Sequence, residues 1–331
     1  MKQISYTADQ ISLPPSPLHW KRFRPHMVAV CLLLLVPLFI KSTYVIDLLI
    51  LCNIYAMFLS SWDLLTGYTG QISFGHSLFI GSGAYTAGIL SFYFQVPILI
   101  TVPLGGVVAA LFGLLLGIPC LRLKGPYLAL ATFAASGVLA ALTAVFWEYS
   151  GGEDGLYGIA SVSANYVVKY YWSLSLMIVI CGFLLFLVNS QYGLILQSIR
   201  EDESAAEASG INVTRYKLIT FVLSGFLAGI AGAFYSHTQM HVGTDQFSLH
   251  LSIMVVLMSV VGGLGTIVGP IVAGFLLILL NEWLRVIEVV RVLIYSFSVV
   301  LILLFIPKGI VPTVISGIQK GIEKMKSPAR S

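Results

Sequence analysis

Two histidines, His237 and His241, are four residues apart in the sequence, with Asp245 and His250 close behind. On a helix this spacing puts both imidazoles on one face, where they would resemble part of a metal site. The alternative is that all four are polar side chains at the edge of an apolar segment. Because two histidines without a cysteine make a poor metal site, the sequence predicts that no metal is bound here.

Motifs for catalysis are absent from the sequence. It contains no glycine-rich phosphate loop ending in Gly-Lys-Ser or Gly-Lys-Thr, no nucleophile elbow and no HExxH zinc pair. We therefore expect a protein that is not an enzyme, does not hydrolyse ATP itself and has no cofactor. Any energy that it uses has to come from a partner or from an ion gradient.

An acidic passage within residues 198–216 interrupts the otherwise apolar sequence. Its four acids are Glu201, Asp202, Glu203 and Glu207. Alanines and serines lie among them, including Ala205 and Ala206, and Gly210 follows as a natural helix stop. The pattern predicts a short helix with a small-residue face that another protein's backbone can approach closely. Its first residue is open, because Asp202 is a good N-cap while Ser204 and Glu207 have the spacing of a capping box.

Two glycine-rich passages, Gly67–Gly88 and Gly262–Gly274, each follow an apolar run. Polar and glycine positions in the first passage are candidates to line a path for substrate: Gly70, Gln71, Ser73, Gly75, His76 and Ser77. In that interpretation the helix is irregular and exposes backbone groups to a substrate. In the alternative, glycine allows tight helix packing and the polar groups bond between helices. Asp63, just before the passage, is either an intramembrane functional acid or a span-end residue facing water.

Composition determines the fold class. Hydrophobic residues make up 58% of the 331 residues and charged residues 10%, against roughly 45–50% and about 25% in soluble domains. We predict an all-α, polytopic integral membrane protein with about ten transmembrane helices. The predicted spans are Met27–Ile40, Val45–Leu65, Phe74–Phe94, Val96–Ile118, Pro126–Trp147, Tyr171–Val188, Leu218–Tyr235, Leu249–Val261, Pro270–Leu284 and Val292–Ile306.

Positive charge gives the orientation of these spans, since cytoplasmic loops are rich in Lys and Arg. With the N-terminus inside, only four of the 18 basic residues lie outside: Lys41, Lys169, Arg285 and Arg291. We expect cytoplasmic tails at 1–26 and 311–331 and a membrane domain at 27–310. The net charge of +4 then reflects membrane anchoring and indicates no nucleic acid partner.

Several motifs together resemble the branched-chain amino acid permeases of ABC importers. The matching stretches are Gly70 to Tyr85, Leu121–Leu130, Gly151–Leu156, the run from Ala205 to Asn212, Gly262–Gly269 and Pro307–Ile310. The general importer pattern places a glutamate directly before the two alanines. Here Ser204 takes that place and Glu203 lies one residue earlier, which is the variant that this family shows.

The resemblance implies a permease that imports branched-chain, hydrophobic amino acids through a bacterial inner membrane, with both termini cytoplasmic. It implies as partners a second homologous permease, two ATP-binding subunits and an extracytoplasmic substrate-binding protein. The ATP-binding subunits would contact the coupling residues Glu203, Ala205, Ala206, Glu207 and Gly210. In the outer loop, Glu153 and Asp154 are candidate docking points for basic patches of the binding protein.

Other transport functions remain open from the sequence. A urea or short-amide importer permease of the same family would differ only in its substrate path. A gradient-driven carrier is a different class, and it would need ionisable residues in the middle of its spans. Here the middles of the predicted spans are nearly free of them, and Asp47 and Glu282 lie near span ends.

Overall fold

The computed structural model describes residues 20–40, 42–121, 123, 125–286, 294, 297, 304 and 309–314, with the backbone alone for residues 20–29. The helices are α1 (Trp20–Phe39), α2 (Thr43–Thr69), α3 (His76–Phe94), α4 (Ile98–Cys120), α5 (Pro126–Val145), α6 (Trp147–Ser150), α7 (Tyr166–Val188), α8 (Gln191–Glu201), α9 (Glu203–Ala208), α10 (Val213–Gln239), α11 (Leu249–Gly262) and α12 (Val268–Trp283). Short 3-10 turns cover Thr244–Phe247 and Leu284–Val286. The predicted all-α class is confirmed.

Six of these helices, α2, α3, α4, α5, α7 and α10, are long and apolar enough to cross a membrane. Shorter apolar stretches of 10–17 residues are α11, α12 and Val30–Phe39, the part of α1 whose side chains are described. The predicted count of about ten therefore holds as an approximation. The tenth predicted span, Val292–Ile306, lies outside the described residues except for residues 294, 297 and 304, and so do most of the predicted tails.

Helix α10 lies at the centre of the bundle, in contact with α2, α3 and α4. Small residues make this packing possible. A β-carbon on Gly83 of α3 would collide with the backbone oxygen of Gly229, and one on Gly229 would lie 2.9 Å from the backbone oxygen of Gly105 on α4. Without side chains at these positions the three helix backbones come into direct contact, which is how helices associate closely in lipid.

Helix α2 is the most buried of the six long apolar helices, with 72% of its apolar central stretch inside the protein. It contacts α7, α10, α11 and α12. Phe58 and Trp62 fill the core along it, and Asn53 donates a hydrogen bond to Ser173 of α7 at 2.9 Å. This helix positions the glycine-rich segment that follows it.

Two strands join the loops at one end of the bundle. β1 (Leu156–Tyr157) pairs antiparallel with β2 (His241–Val242), so that Leu156 lies opposite Val242 and Tyr157 opposite His241. Helices α8 and α9 lie at the other end, which we call the α9 end. The strand pair ties the long loop after α5 to the loop after α10, and neither strand was predicted.

The glycine contact between α3 and α10 can be tested with Gly83→Ala. The added methyl group meets the backbone of Gly229, and we expect a loss of about 1–3 kcal/mol of stability. Thermal unfolding of the purified protein in detergent measures it. The matched control is Gly182→Ala on α7, where the new carbon has no neighbour within 4 Å among the described residues. Equal melting temperatures for the two variants would contradict this account of the packing.

Candidate functional site

The chain is irregular between α2 and α3, over Gly70–Gly75. Gly70 ends α2 with a left-handed φ of 73°, and its N–H donates to the carbonyl of Thr66. The side chains of Gln71 and Ser73 are buried, while Ile72 is 49% exposed. Trp62 holds the segment by donating from its indole nitrogen to the Ser73 carbonyl at 2.8 Å. The interruption predicted here is present.

Helix α3 begins deep within the bundle. The imidazole of His76, its first residue, lies 2.8 Å from the hydroxyl of Ser61, and Ser224 of α10 donates to the Ser61 carbonyl. Ser61 is eight residues before the end of α2, or about 12 Å along the helix axis. The Gly70–Gly75 segment therefore runs from the α9 end back into the interior of the bundle, where α3 begins.

A cluster of hydroxyls surrounds this start. Ser77 Oγ lies 2.8 Å from Ser136 Oγ of α5 and accepts a bond from Ser252 of α11 at 2.9 Å. Ser136 donates to the carbonyl of Phe247 at 2.7 Å. All three serines are buried, and their hydroxyls join α3, α5 and α11 with the loop before α11. We call Ser77, Ser136 and Ser252 the serine cluster.

His76 has one nitrogen without a protein partner among the described residues. The Ser61 hydroxyl donates to the Phe58 carbonyl at 2.8 Å, so its single proton is used and it accepts from His76 Nε2. This makes Nδ1 the unprotonated nitrogen of a neutral ring. Nδ1 is fully buried and has no hydrogen-bond donor near it. It is therefore a buried acceptor that no described group satisfies.

Glycine packing explains the other part of the passage. A β-carbon on Gly75 would lie 2.5 Å from the backbone oxygen of Thr132 on α5, and Gly81 is covered by the ring of Phe247. The backbone is therefore irregular over Gly70–Gly75, and beyond it glycines and hydroxyls join helices. A substrate path beside the irregular segment stays a prediction.

A cavity of about 1000 Å³ lies elsewhere, at the end of the bundle opposite α9. Its walls come from the end of α3, the start of α4, the first half of α7, the loop after β1 and Phe234 of α10, and they are mainly apolar. Phe92, Leu99 and Trp172 are lining residues that are also exposed on the protein surface. None of the predicted passage residues and none of the serine cluster lines it.

The predicted coupling segment is a helix, α9, between α8 and α10. Asp202 is its N-cap, accepting bonds from the N–H groups of Ser204 at 2.8 Å and Ala205 at 3.1 Å. This settles the start that the sequence left open, and the capping box at Ser204 does not form. Gly210 follows with a φ of 86°, and the N–H groups after the helix return to the carbonyls of Glu207 and Ala206. That closure is a Schellman motif.

Only part of the predicted coupling surface is available to another protein. Glu203, Ala205, Glu207 and Gly210 are exposed. Ala206 is 4% exposed because it packs against Ile199 and Val213. In this structure Ala206, one of the predicted coupling residues, is thus buried within the protein. Because Ala206 is the residue after Ala205 on α9, its side chain lies on a different face of the helix, the one that contacts α8 and α10.

The ends of the predicted 198–216 loop are helical. Residues 198–201 complete α8, an amphipathic helix that was not predicted, and residues 213–216 begin α10. Gly193, Leu196 and Ile199 are the buried face of α8, three residues apart. Ser190 caps it by accepting from the N–H of Tyr192. The cap and the spacing were the signals that could have revealed it.

Glu203 forms an ion pair with Lys217, which fixes α9 to α10.

Asp63 does not face water, and it joins the two glycine-rich passages. Its carboxylate is fully buried and accepts three backbone N–H groups, from Gly265 at 2.7 Å, Thr266 at 3.1 Å and Ile267 at 2.9 Å. These amides precede α12, so the acid satisfies donors at a helix N-terminus. Sequence reasoning singled out both the acid and the glycines but did not pair them.

The turn held by Asp63 has an unusual backbone. Ile267 has φ 56° and ψ −51°, although it is β-branched. Such residues rarely adopt positive φ. The bond from its N–H to Asp63 and its complete burial hold it in this conformation.

At the opposite end, Glu153 and Asp154 are exposed. Glycines with positive φ at 151, 152 and 155 shape this loop. A β-carbon on Gly155 would collide with the Val242 carbonyl, so the loop lies close against β2. Both predicted docking acids are thus presented at the surface on a loop fixed by the strand pair.

The four polar residues considered as metal ligands have separate contacts. His237 is buried and bonds Thr101 at 2.7 Å and the Ala160 carbonyl at 2.7 Å. His241 lies beside the ring of Tyr157. Within the described part of the chain no three His, Cys, Asp or Glu side chains are grouped to hold a metal ion.

A bundle of long apolar helices, with its polar groups buried and bonded to one another, defines a polytopic membrane protein. The chain belongs to the family described as the permease component of branched-chain amino acid transport systems, whose family model matches residues 44–322. The family description makes it one component of a larger transport system.

Individual relatives agree with this membership. The chain is 27% identical to the high-affinity branched-chain amino acid transport system permease protein LivM of Salmonella typhimurium, over 83% of this chain and 71% of that protein. It is 27% identical to LivM of Escherichia coli, over 86% and 74%. It is 25% identical to the ribose import permease protein RbsC of Haemophilus influenzae, over 65% and 70%. No solved structure matches the chain.

Proposed function

We propose that this protein is the permease subunit of an ABC importer that moves branched-chain, hydrophobic amino acids across the bacterial inner membrane. The observation that carries the proposal is the family match over residues 44–322. Two relatives named for branched-chain amino acids match over more of the chain than the ribose permease does. That difference favours an amino acid over a sugar.

The partners follow from the same family. A second homologous permease completes the path, two ATP-binding subunits supply the energy, and an extracytoplasmic binding protein delivers substrate. In this arrangement α9 contacts an ATP-binding subunit and both chain termini are cytoplasmic, as the distribution of Lys and Arg also favours. Glu153 and Asp154 then face the binding protein. The exposed position of these acids supports that assignment.

Substrate passes beside the Gly70–Gly75 segment and the start of α3. The buried acceptor nitrogen of His76 is suited to an ammonium group, and the N-terminus of α3 to a carboxylate. Both groups belong to an amino acid. Since the site is packed closed in this structure, transport requires the helices around the serine cluster to separate.

Uptake by the assembled transporter tests the function directly. We expect ATP-dependent uptake of radiolabelled leucine that unlabelled isoleucine and valine inhibit and that urea and ribose leave unchanged. The purified chain alone should hydrolyse no ATP, because its sequence has no phosphate loop. Inhibition by urea alone, or ATP hydrolysis by the isolated chain free of contaminating ATPases, would contradict the proposal.

Ala205→Leu tests the docking role of α9. A bulky side chain on this exposed face overpacks the contact with the ATP-binding subunit, at about 1–3 kcal/mol, and weakens association roughly five- to a hundredfold. Copurification of the ATP-binding subunits measures it, at an unchanged amount of permease in the membrane. Ala164→Leu, an exposed alanine at the opposite end, is the control. Normal copurification in Ala205→Leu would assign docking to another surface.

His76→Leu tests the passage. Removing the His76 nitrogen that would accept a bond from substrate should raise the KM for leucine roughly three- to tenfold, which corresponds to the free energy of one hydrogen bond. The ATP-binding subunits should stay attached. His76→Gln keeps a donor and an acceptor and should be milder. His250→Leu, at an exposed position on α11, should match the wild type. A lowered melting temperature in His76→Leu with an unchanged KM would give His76 a packing role only.

A further inference from the structure

Arg200 reaches from the last turn of α8 into the end of the membrane bundle. Its Nη1 donates to the backbone carbonyl of Gly67, in the last turn of α2. That carbonyl is among the last of α2, where the helix leaves oxygens without partners and where a positive charge is favourable. The bond therefore joins the segment leading to α9 directly to the helix that leads to the passage.

The side chain of Arg200 also lies beside both glycine-rich passages. A β-carbon on Gly70 would be 3.5 Å from its Cγ, and one on Gly265 would be 2.8 Å from its Nη1. Gly70 begins the irregular segment that ends at His76. Gly265 is the first of the three amides bound by Asp63. A side chain at Gly265 would occupy the space of the Arg200 guanidinium, whereas one at Gly70 would be in ordinary contact with the arginine stem.

Asp63 continues the connection. It belongs to α2, four residues before Gly67, and its carboxylate holds the turn before α12. A β-carbon on Gly67 would collide with Asp63 Oδ1. The guanidinium of Arg200, the carboxylate of Asp63 and the backbone of Gly67 and Gly265 thus meet at one point. At this point α8 is therefore in contact with the end of α2 and with the turn before α12.

We propose that Arg200 is the positioning residue that transmits movement of α9 to the Gly70–Gly75 segment, with Asp63 carrying the same movement to α12. This inference rests on the proposed coupling role of α9. It adds a second connection to the one through α10, which follows α9 directly along the chain. A charge-assisted hydrogen bond is shorter and stronger than a neutral one, so this contact is suited to hold α8 and α2 together as they move.

Arg200→Met tests the connection in the complex purified with its ATP-binding subunits and reconstituted in liposomes. Methionine keeps a similar apolar stem but cannot donate to Gly67. We expect leucine transported per ATP hydrolysed to fall about tenfold, the effect of losing one charge-assisted bond, while copurification and basal hydrolysis stay at wild-type level. Arg200→Lys keeps a charged donor and should restore most of the ratio.

Arg285→Met is the matched control, because Arg285 lies just after α12, at the end away from Asp63, and pairs with Glu282. An unchanged transport ratio in Arg200→Met would overturn the proposal. So would loss of the ATP-binding subunits, which would place Arg200 in the docking surface. Absence of ATP-dependent leucine transport in the wild type would instead contradict the proposed function.

Hydrogen exchange on the wild-type complex provides a measurement that needs no variant. Binding of a non-hydrolysable ATP analogue should change the exchange of amides in residues 70–75 and 265–267 together, because Arg200 and Asp63 join these segments. Exchange that changes in α9 and α10 but not in these two segments would overturn the inference, even if Arg200→Met fails to fold.

Discussion

The buried carboxylate of Asp63 is the interaction on which the α9 end of the bundle depends. A break between two membrane helices leaves backbone N–H groups without partners, and in lipid each such group is costly. The turn between α11 and α12 meets this requirement with one acid, which accepts three of them. Apolar side chains also pack α2 against α12, but the acid is what fixes the turn before α12 against the end of α2, where Arg200 lies.

The interior of the bundle solves a related problem with neutral groups. Glycines bring the backbones of α3, α4 and α10 together, and serine hydroxyls of α3, α5 and α11 bond across the space where α3 begins. Hydroxyl bonds of this kind are individually weak in membranes. A serine cluster can therefore separate and close again at modest cost, unlike the charged contacts at the α9 end. This contrast fits a path for substrate through the cluster and a firm connection beside it.

Much of the fold was predictable because apolar composition and run length determine membrane helices almost alone. The same holds for α9, where Asp202 and Gly210 mark its ends by local chemistry. Contacts between distant residues were not predictable. Nothing near Asp63 in the sequence reveals three amides some 200 residues later, and nothing in the run from Ala205 to Ala206 shows which alanine faces α10. The two strands were not predicted for a similar reason, because a strand of two residues gives no periodic signal in the sequence.

Ile267 is a residue with a strained backbone at the α9 end of the bundle. A β-branched residue held at positive φ stores roughly 1–3 kcal/mol, which the bond to Asp63 and the surrounding core must sustain. The turn before α12 is therefore strained in this structure, and the bond to Asp63 helps to maintain that strain. Loss of the bond would let Ile267 relax toward a negative φ, so the start of α12 is tied to α2 by a contact that holds a backbone conformation as well as a position.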